Sequence, residues 1–223
     1  MEERSNRPTR AELEEDQFLE WVLTALAYIR ARGHIFIGGA VAVVATIAII
    51  SFVQQQRSSA RTEAAALLFE ATLADQVGQI DGVLRVCERL VDDFGNTPAA
   101  AQATVMLGNR YFALGRYAEA ERSYQRYLDD YGDEPVLRFA AESGIAAGYE
   151  AQGNFEQAAA AYVDYATRHP EIEASALMLM DAARCHRQLG DRDRERSLLE
   201  RVMEEFPQSS ATTRARQELG ALM

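Results

Sequence analysis

The chain has 223 residues, of which 48% are hydrophobic and 26% charged, and a formal net charge of −11. Its 23 basic residues are all arginine, which excludes a lysine Schiff base and the lysine–phosphate contact of a Walker A motif. Because phosphate binding needs a basic surface, the acidic balance argues against a nucleic-acid partner. This length is enough for one ordinary domain with an appendage.

Residues 1–33 are predicted to be an acidic cytoplasmic tail that ends in an amphipathic helix. Apolar side chains recur every three or four positions from Phe18 to Ile29, as they do on one face of a helix. Trp21 and Tyr28 are residue types that settle at membrane interfaces. Two interpretations stay open: a helix that lies on the membrane or docks to a membrane protein, and a plain interfacial extension of the next segment.

Residues 34–53 are predicted to be a transmembrane signal anchor. Ile35 to Val53 is a run of 19 uncharged residues, close to the roughly 20 that a helix needs to cross a hydrocarbon core of about 30 Å. A cleaved signal peptide is the weaker alternative, since the preceding segment is long and acidic. Five arginines before the run and two soon after it predict a cytoplasmic N-terminus. Close to the run, two arginines lie on each side, so the reversed topology stays open.

Residues 54–223 are predicted to be an α-solenoid of about four helical hairpins with a C-terminal capping helix. The glycines at 78, 115, 153 and 190 recur at spacings of 37, 38 and 37 residues, each at a turn between two apolar-periodic helices. Ser209 or Ser210 is a candidate N-cap for the last helix. The expected repeats cover about 60–95, 98–132, 136–170 and 173–207, and the expected cap covers 209–222.

The two central units resemble the tetratricopeptide repeat (TPR) consensus. The matching positions are Leu107, Gly108, Tyr111, Gly115, Tyr117, Ala120 and Tyr124 in one unit, and Ile145, Ala146, Tyr149, Gly153, Phe155, Ala158, Tyr162 and Pro170 in the next. The fourth unit keeps Gly190 and Pro207 but has Glu195 at a position where the consensus is small. Tyr127 and Tyr165 also stand where the consensus has a small residue.

These residue types explain how such hairpins pack. We expect Ala120 and Ala158 at close helix crossings, where a large side chain would push the helices apart. We expect the consensus tyrosines to fill the space between hairpins. Gly115 and Gly153 are expected to end helices in a left-handed conformation that favours glycine.

The TPR resemblance also implies a concave groove that binds a partner protein. The family's ligand positions correspond to Asn109, Phe112, Ser143, Ala147, Glu150, Arg184 and Arg187. Asn109 matches the asparagine of the carboxylate clamp, but the basic residues that complete a clamp are absent from repeats two and three. Arg184 and Arg187 are either solvent-exposed or available to an acidic partner.

Motifs of catalysis, cofactor binding and metal binding are absent from the sequence. None of the hydrolase, phosphate-binding, dinucleotide-binding or metal-ligand spacings occurs. Cys87 and Cys185 lie in the first and last repeats, expected to be too far apart for a disulfide. We therefore predict no enzyme activity, no cofactor, no metal and no small-molecule substrate.

The overall layout, with an acidic start, one anchor and then TPRs, resembles the YfgM-like ancillary subunits of the SecYEG translocon. That resemblance implies a non-enzymatic, single-pass protein of the bacterial inner membrane whose TPR domain lies in the periplasm and assists protein translocation or folding. The Sec translocon, chaperones or other envelope proteins would be its partners, and self-association stays open. The C-terminal repeats also resemble Tol-Pal-associated coordinator (CpoB/YbgF-like) and BamD-like proteins, which implies the alternative role of coordinating envelope organisation.

Overall fold

The computed structural model describes residues 20–28, 30 and 33–222, and the chain divides into two compact units, Met1–Ser58 and Ser59–Met223. Regular secondary structure in these described residues is entirely helical, which confirms the predicted all-α class. The helices are α1 (Gly33–Gln76), α2 (Ile80–Asp93), α3 (Pro98–Ala113), α4 (Tyr117–Asp130), α5 (Pro135–Ala151), α6 (Phe155–Arg168), α7 (Ala174–Gln188), α8 (Arg192–Glu205) and α9 (Ser210–Gly220).

The first unit contains the predicted amphipathic helix and the predicted anchor. Residues 20–28 are helical, and the remainder of the predicted tail, apart from residues 30 and 33, lies outside the described residues. Of the predicted anchor, the side chains of residues 34–37 and 40 also lie outside them. Within the described part of the chain, no helix has the length and apolarity needed to cross a membrane. The anchor at residues 34–53 is therefore not found and stays a prediction.

The second unit is a succession of helical hairpins. From α2 to α9 each helix packs against the next, and α3 also contacts α5, as α7 contacts α9. Two apolar cores result, one from the end of α1 to α5 and one from α5 to α9. Each core draws on helices of more than one hairpin, which confirms the solenoid architecture.

The turns inside the hairpins have the predicted left-handed glycines. Gly115 has a φ of 72° and Gly153 a φ of 79°, values that other residues adopt only at a cost. Beyond each glycine the chain folds back onto the helix that has just ended: the Arg116 N–H donates to the Tyr111 carbonyl at 2.9 Å, and the Asn154 N–H to the Tyr149 carbonyl at 2.9 Å. These bonds satisfy carbonyl groups that a helix end leaves free.

The helices α3, α5 and α9 begin with a proline or a side-chain cap, whereas α7 begins with neither. Pro98 and Pro135 stand at the starts of α3 and α5, where a missing N–H costs nothing. Thr97 and Glu134 precede them and accept hydrogen bonds from backbone N–H groups of the first turn. Ser209, one of the two predicted candidates, caps α9 in the same way.

Tyr127 and Tyr165, the two tyrosines that depart from the TPR consensus, fill the joints. Tyr127 is fully buried and its hydroxyl donates to the Glu134 carbonyl at 3.2 Å. Tyr165 is 4% exposed, and its ring packs edge-on against Phe139 with the centroids 5.4 Å apart. Between α4 and α5 the additional residues of the long repeat are thus folded over a large side chain, Tyr127, that the standard consensus lacks.

Tyr124 on α4 is held between α3 and α5. A Cβ atom built on Gly144 would lie 2.5 Å from Cε2 and Cζ of the Tyr124 ring. A Cβ atom on Gly108 would lie 2.6 Å from Cδ1, on the other side of the ring. Both glycines are therefore needed so that two helices can approach the same aromatic ring.

We predict that Gly144→Ala destabilises the protein, whereas Gly148→Ala on the same helix stabilises it. The Tyr124 ring cannot move away from a methyl group on Gly144 because Gly108 closes its other side, and overpacking of this kind costs about 1–3 kcal/mol. A Cβ atom on Gly148 meets nothing within 4 Å, so alanine there should add about 0.5–1 kcal/mol through helix propensity. Urea unfolding followed by circular dichroism measures both values, and equal effects at the two sites would contradict the packing argument.

Candidate protein-binding groove

The first helices of successive hairpins, α3, α5 and α7, line a groove with a cavity volume of about 380 Å³. Second-helix tyrosines contribute to its floor. Its lining consists of Asn109, Phe112, Tyr124, Phe139, Ala140, Ser143, Gly144, Ala147, Tyr162, Met178 and Asp181. The surface is mainly apolar with a few polar groups, as is usual for a binding site.

Four of the seven residues predicted for the groove lie together in it: Asn109, Phe112, Ser143 and Ala147. The groove also has Phe139, Met178 and Asp181, which the sequence reasoning did not name. Asp181 lies three residues before Arg184 on α7, so it shares a helix face with a predicted residue, and this i, i+3 spacing was a usable signal.

The polar groups of the groove floor are ordered by internal hydrogen bonds. The Tyr124 hydroxyl donates to Asn109 Oδ1 at 2.8 Å, which connects the two helices of one hairpin. The Ser143 hydroxyl donates to the Phe139 carbonyl at 2.6 Å. Burial raises the pKa of Tyr124 to about 12, so its hydroxyl stays protonated and can keep donating to Asn109.

Glu150 and Arg184, also predicted for the groove, form an ion pair at its edge. Arg184 Nε and Nη2 donate to the two oxygens of Glu150 at 2.7 and 2.6 Å, and Tyr162 donates to the same carboxylate at 3.1 Å. Arg184 also donates to Asp181. The hydrogen bond from Arg184 is the main reason that the pKa of Glu150 is lowered. Arg184 is thus already paired with two carboxylates of its own chain.

Arg187 was predicted for the groove, but it is not among the residues that line the cavity and instead pairs with carboxylates of its own chain. Its Nε donates to Glu195 at 2.5 Å and its Nη2 to Glu218 at 2.5 Å, so that it joins α7 to α8 and to the capping helix α9. Glu195 is 1% exposed, and a carboxylate that deep is tolerated only with a charged partner. The pairing explains how this repeat accommodates a glutamate at a position where the consensus is small.

The two consensus tyrosines of the first helices connect neighbouring hairpins through polar as well as apolar contacts. Tyr111 donates to Glu88 at 2.6 Å, and Tyr149 donates to Glu121 at 2.8 Å; each glutamate lies in the preceding hairpin. Tyr111 and Tyr149 thus each contact the preceding hairpin through a hydrogen bond that the pattern did not predict.

The two thiols are unsuited to nucleophilic chemistry. Cys87 and Cys185 are free and buried, and burial raises the pKa of each to about 12. A thiol attacks as its thiolate, which is scarce at neutral pH for such groups. Across the described residues no cluster of three or more histidines, cysteines and carboxylates is arranged to hold a metal ion.

Fold and groove together define a helical-hairpin repeat protein with a peptide-sized concave surface. The profile of the tetratricopeptide repeat-like domain matches residues 27–168, and that of the tetratricopeptide repeat matches residues 145–210. Since the first match covers more than half of the sequence, the chain belongs to the tetratricopeptide repeat-like family. Members of this family are typically non-enzymatic scaffolds for protein–protein interaction.

Solved structures with similar folds are TPR proteins. A Podosopora anserina kinesin light chain-type protein with nearly identical TPR-like repeats has a TM-score of 0.55 at 19% identity, with 73% of this chain and 86% of that one covered. Its Q17M variant has a TM-score of 0.55 at 18% identity, with 73% of this chain and 85% of that one covered. A Parabacteroides merdae tetratricopeptide repeat protein has a TM-score of 0.45 at 15% identity, with 73% of this chain and 74% of that one covered. At this level of identity the Podosopora anserina structures support the fold alone. A search of curated protein sequences found no match to this chain.

Removal of the Arg187 side chain should be costly, and a second change should reverse the loss. In Arg187→Leu the Glu195 carboxylate remains buried without its cation, which costs on the order of 3–5 kcal/mol. In Arg187→Leu with Glu195→Ala the buried charge is gone and the consensus small residue is restored, so most of the loss should be recovered. Denaturant unfolding of the three proteins measures this, and a double variant as unstable as the single one would contradict the explanation.

Alkaline pH should destabilise the fold through its tyrosines. Burial is the main cause that raises the pKa of Tyr111 and Tyr124 from 10 to about 12. The unfolded chain therefore releases these protons first, and stability that is complete below pH 10 is lost as the pH rises from 10 to 12. By pH 11 each tyrosine should account for about 1 kcal/mol.

Because the chain has no lysine, tyrosine and cysteine dominate titration in this range. The unfolding free energy at pH 9 and at pH 11 is the measurement, with tyrosinate absorbance recorded in parallel. Tyr111→Phe with Tyr124→Phe should remove part of the decrease. An unfolding free energy that stays constant from pH 9 to 11 would show the assignment to be wrong.

Proposed function

We propose that the protein is a membrane-anchored scaffold that binds a segment of a partner protein in the concave groove of its TPR array. The observation that carries this proposal is the groove itself, in which Asn109, Phe112, Ser143 and Ala147 surround an open, mainly apolar space. A side chain of a bound segment would be buried against Phe112, Phe139 and Met178. The Asn109 side chain lies at the same surface and is available for polar contact with a backbone.

The groove is suited to hold a partner because its walls are already ordered. Tyr124 is fixed by Gly108, Gly144 and its bond to Asn109, and Glu150 is fixed by Arg184. A surface that is ordered before binding loses little conformational entropy when the partner arrives. Partner binding then does not need a rearrangement of the hairpins.

The proposed place of action is the bacterial inner membrane, with the TPR array on the periplasmic side. Support comes from the uncharged run Ile35 to Val53 and from the arginine bias toward the N-terminal side. The layout that resembles YfgM-like translocon subunits supports partners among translocon components and envelope chaperones. Residues 54–223, with 18 arginines and 27 acidic residues, carry a net charge of −9, which keeps them soluble beside an anionic membrane.

Site-specific photo-crosslinking in native membranes tests both parts of the proposal. A photoreactive amino acid at Ser143 in the groove should yield adducts with a translocon component or an envelope chaperone. The same residue at Arg122, an exposed position on α4 outside the groove lining, is the matched control. Ala147→Trp, which fills the groove, should abolish the adducts formed from Ser143 and leave the fold intact by circular dichroism.

Identical adducts from Ser143 and Arg122 would show that the groove is not the binding surface. Adducts with cytoplasmic proteins alone would show that the assigned compartment is wrong. Carbonate extraction tests the anchor separately: the full chain should remain in the membrane pellet, and a chain without residues 1–53 should be released. Extraction of the full chain would contradict the membrane part of the proposal.

A further inference from the structure

The groove has an excess of negative charge at one place, the carboxylate of Asp181. Among the described residues that line the groove, Asp181 is the acidic one and none is basic. Phe112, Phe139 and Met178 provide apolar surface in the same cavity. A bound segment would therefore meet one carboxylate within a largely apolar surface.

The excess arises because one guanidinium is shared between two carboxylates. Arg184 makes a bidentate pair with Glu150, at 2.7 and 2.6 Å, and a contact from its remaining nitrogen Nη1 to Asp181 Oδ1. Glu150 receives a further hydrogen bond from Tyr162. One positive and two negative charges leave the cluster with a net charge of −1.

The two carboxylates are not equally satisfied. The hydrogen bond from Arg184 lowers the pKa of Glu150, whereas burial, the largest influence on Asp181, raises the pKa of that carboxyl. Glu150 accepts from Arg184 Nε, Arg184 Nη2 and the Tyr162 hydroxyl, whereas Asp181 accepts from Arg184 Nη1. Asp181 is the carboxylate of this cluster that lines the groove, so a bound segment meets the net negative charge of the cluster there.

We propose that the groove selects partner segments in which a lysine or arginine lies next to a bulky apolar side chain. The ammonium or guanidinium group would donate to Asp181, while the apolar neighbour would pack against Phe139 and Met178. This selectivity rests on the proposed function, because it presupposes that the groove holds a protein segment. It is the opposite of carboxylate recognition, for which the groove lining offers Asn109 but no basic side chain.

The charge of the whole array favours the same partners. Residues 54–223 carry a net charge of −9, so a cationic segment is attracted over a distance and an acidic one is repelled. The long-range field does not by itself select a position on the surface. Asp181 provides that position, because it lines the same cavity as the apolar side chains of Phe139 and Met178.

Selection of random peptides displayed on phage tests the proposal without knowledge of the natural partner. The immobilised full chain is panned with a library of random dodecapeptides, and the enriched sequences are compared with the unselected library. We expect a several-fold enrichment of lysine and arginine beside leucine, phenylalanine or other large apolar residues. Panning on Asp181→Asn should lose the basic preference, and Asp193→Asn, a matched change at an exposed position on α8, should keep it.

Affinities of single peptides make the test quantitative. One enriched peptide and its counterpart with the basic residue changed to glutamine are labelled and titrated by fluorescence anisotropy. The change should weaken binding to the wild-type chain by about tenfold and binding to Asp181→Asn by less than about threefold. If Asp181→Asn does not fold, Asp181→Ala takes its place, because alanine also removes the carboxylate and is a strong helix former, and the same loss of less than about threefold is expected.

The outcomes separate this inference from the proposed function. Enriched peptides that bind Ala147→Trp as well as the wild type would overturn the groove as the binding surface, and so would a panning without any enrichment. Peptides that need the open groove but show no basic excess, or show the same excess on Asp181→Asn, would overturn the role of Asp181 and leave the scaffold function standing.

Discussion

Each hairpin of this protein has an apolar side that only a neighbouring hairpin can cover, and the structure depends on that contact. The clearest instance is the ring of Tyr124, which belongs to one hairpin and is enclosed by Gly108 of the same hairpin and Gly144 of the next. Burial of such side chains provides the main favourable free energy of folding. In an array of this kind, stability is a sum of contacts between neighbours, and no hairpin is stable by itself.

Helix α9 shows how this constraint is met where a single helix covers a hairpin. The capping helix α9 covers the last hairpin with Ala211 and Ala215, and it is joined to α7 through Glu218 and Arg187. Arg187 at the same time neutralises the buried Glu195. A charge at a consensus small position is thus part of the junction between the last hairpin and its cap. Terminal repeats deviate from a consensus for this reason: their neighbours are different.

The features that follow from local pattern were predictable from sequence. The 37- and 38-residue spacing of the glycines predicts the length of each helical hairpin. The glycine at each turn predicts the left-handed backbone conformation found there. The groove residues Asn109, Phe112, Ser143 and Ala147 follow from repeat position alone, because equivalent positions of stacked first helices face the same side.

The pairing of Arg184 and Arg187 was not predictable in the same way. Glu150 lies 34 positions before Arg184, and Glu218 lies 31 positions after Arg187. Several carboxylates are present at comparable repeat positions, and the choice among them depends on how far one hairpin is rotated against the next. Repeat position gives the face on which a side chain lies, but it does not give that rotation. Repeat position therefore assigned both arginines to the groove, and it left open which carboxylates of the chain they would pair with.

The same rotation determines the electrostatic character of the groove. Glu150, Tyr162 and Arg184 lie on three successive helices, α5, α6 and α7, and their hydrogen bonds form only when two hairpins have the observed arrangement. Because one guanidinium serves both Glu150 and Asp181, the cluster keeps a net charge of −1, and Asp181 presents that charge to the groove. A change in hairpin packing that separated Arg184 from Glu150 would leave Arg184 paired with Asp181 alone and neutralise the groove. Packing between hairpins, which provides the stability of the array, thereby also sets the charge that a bound segment meets.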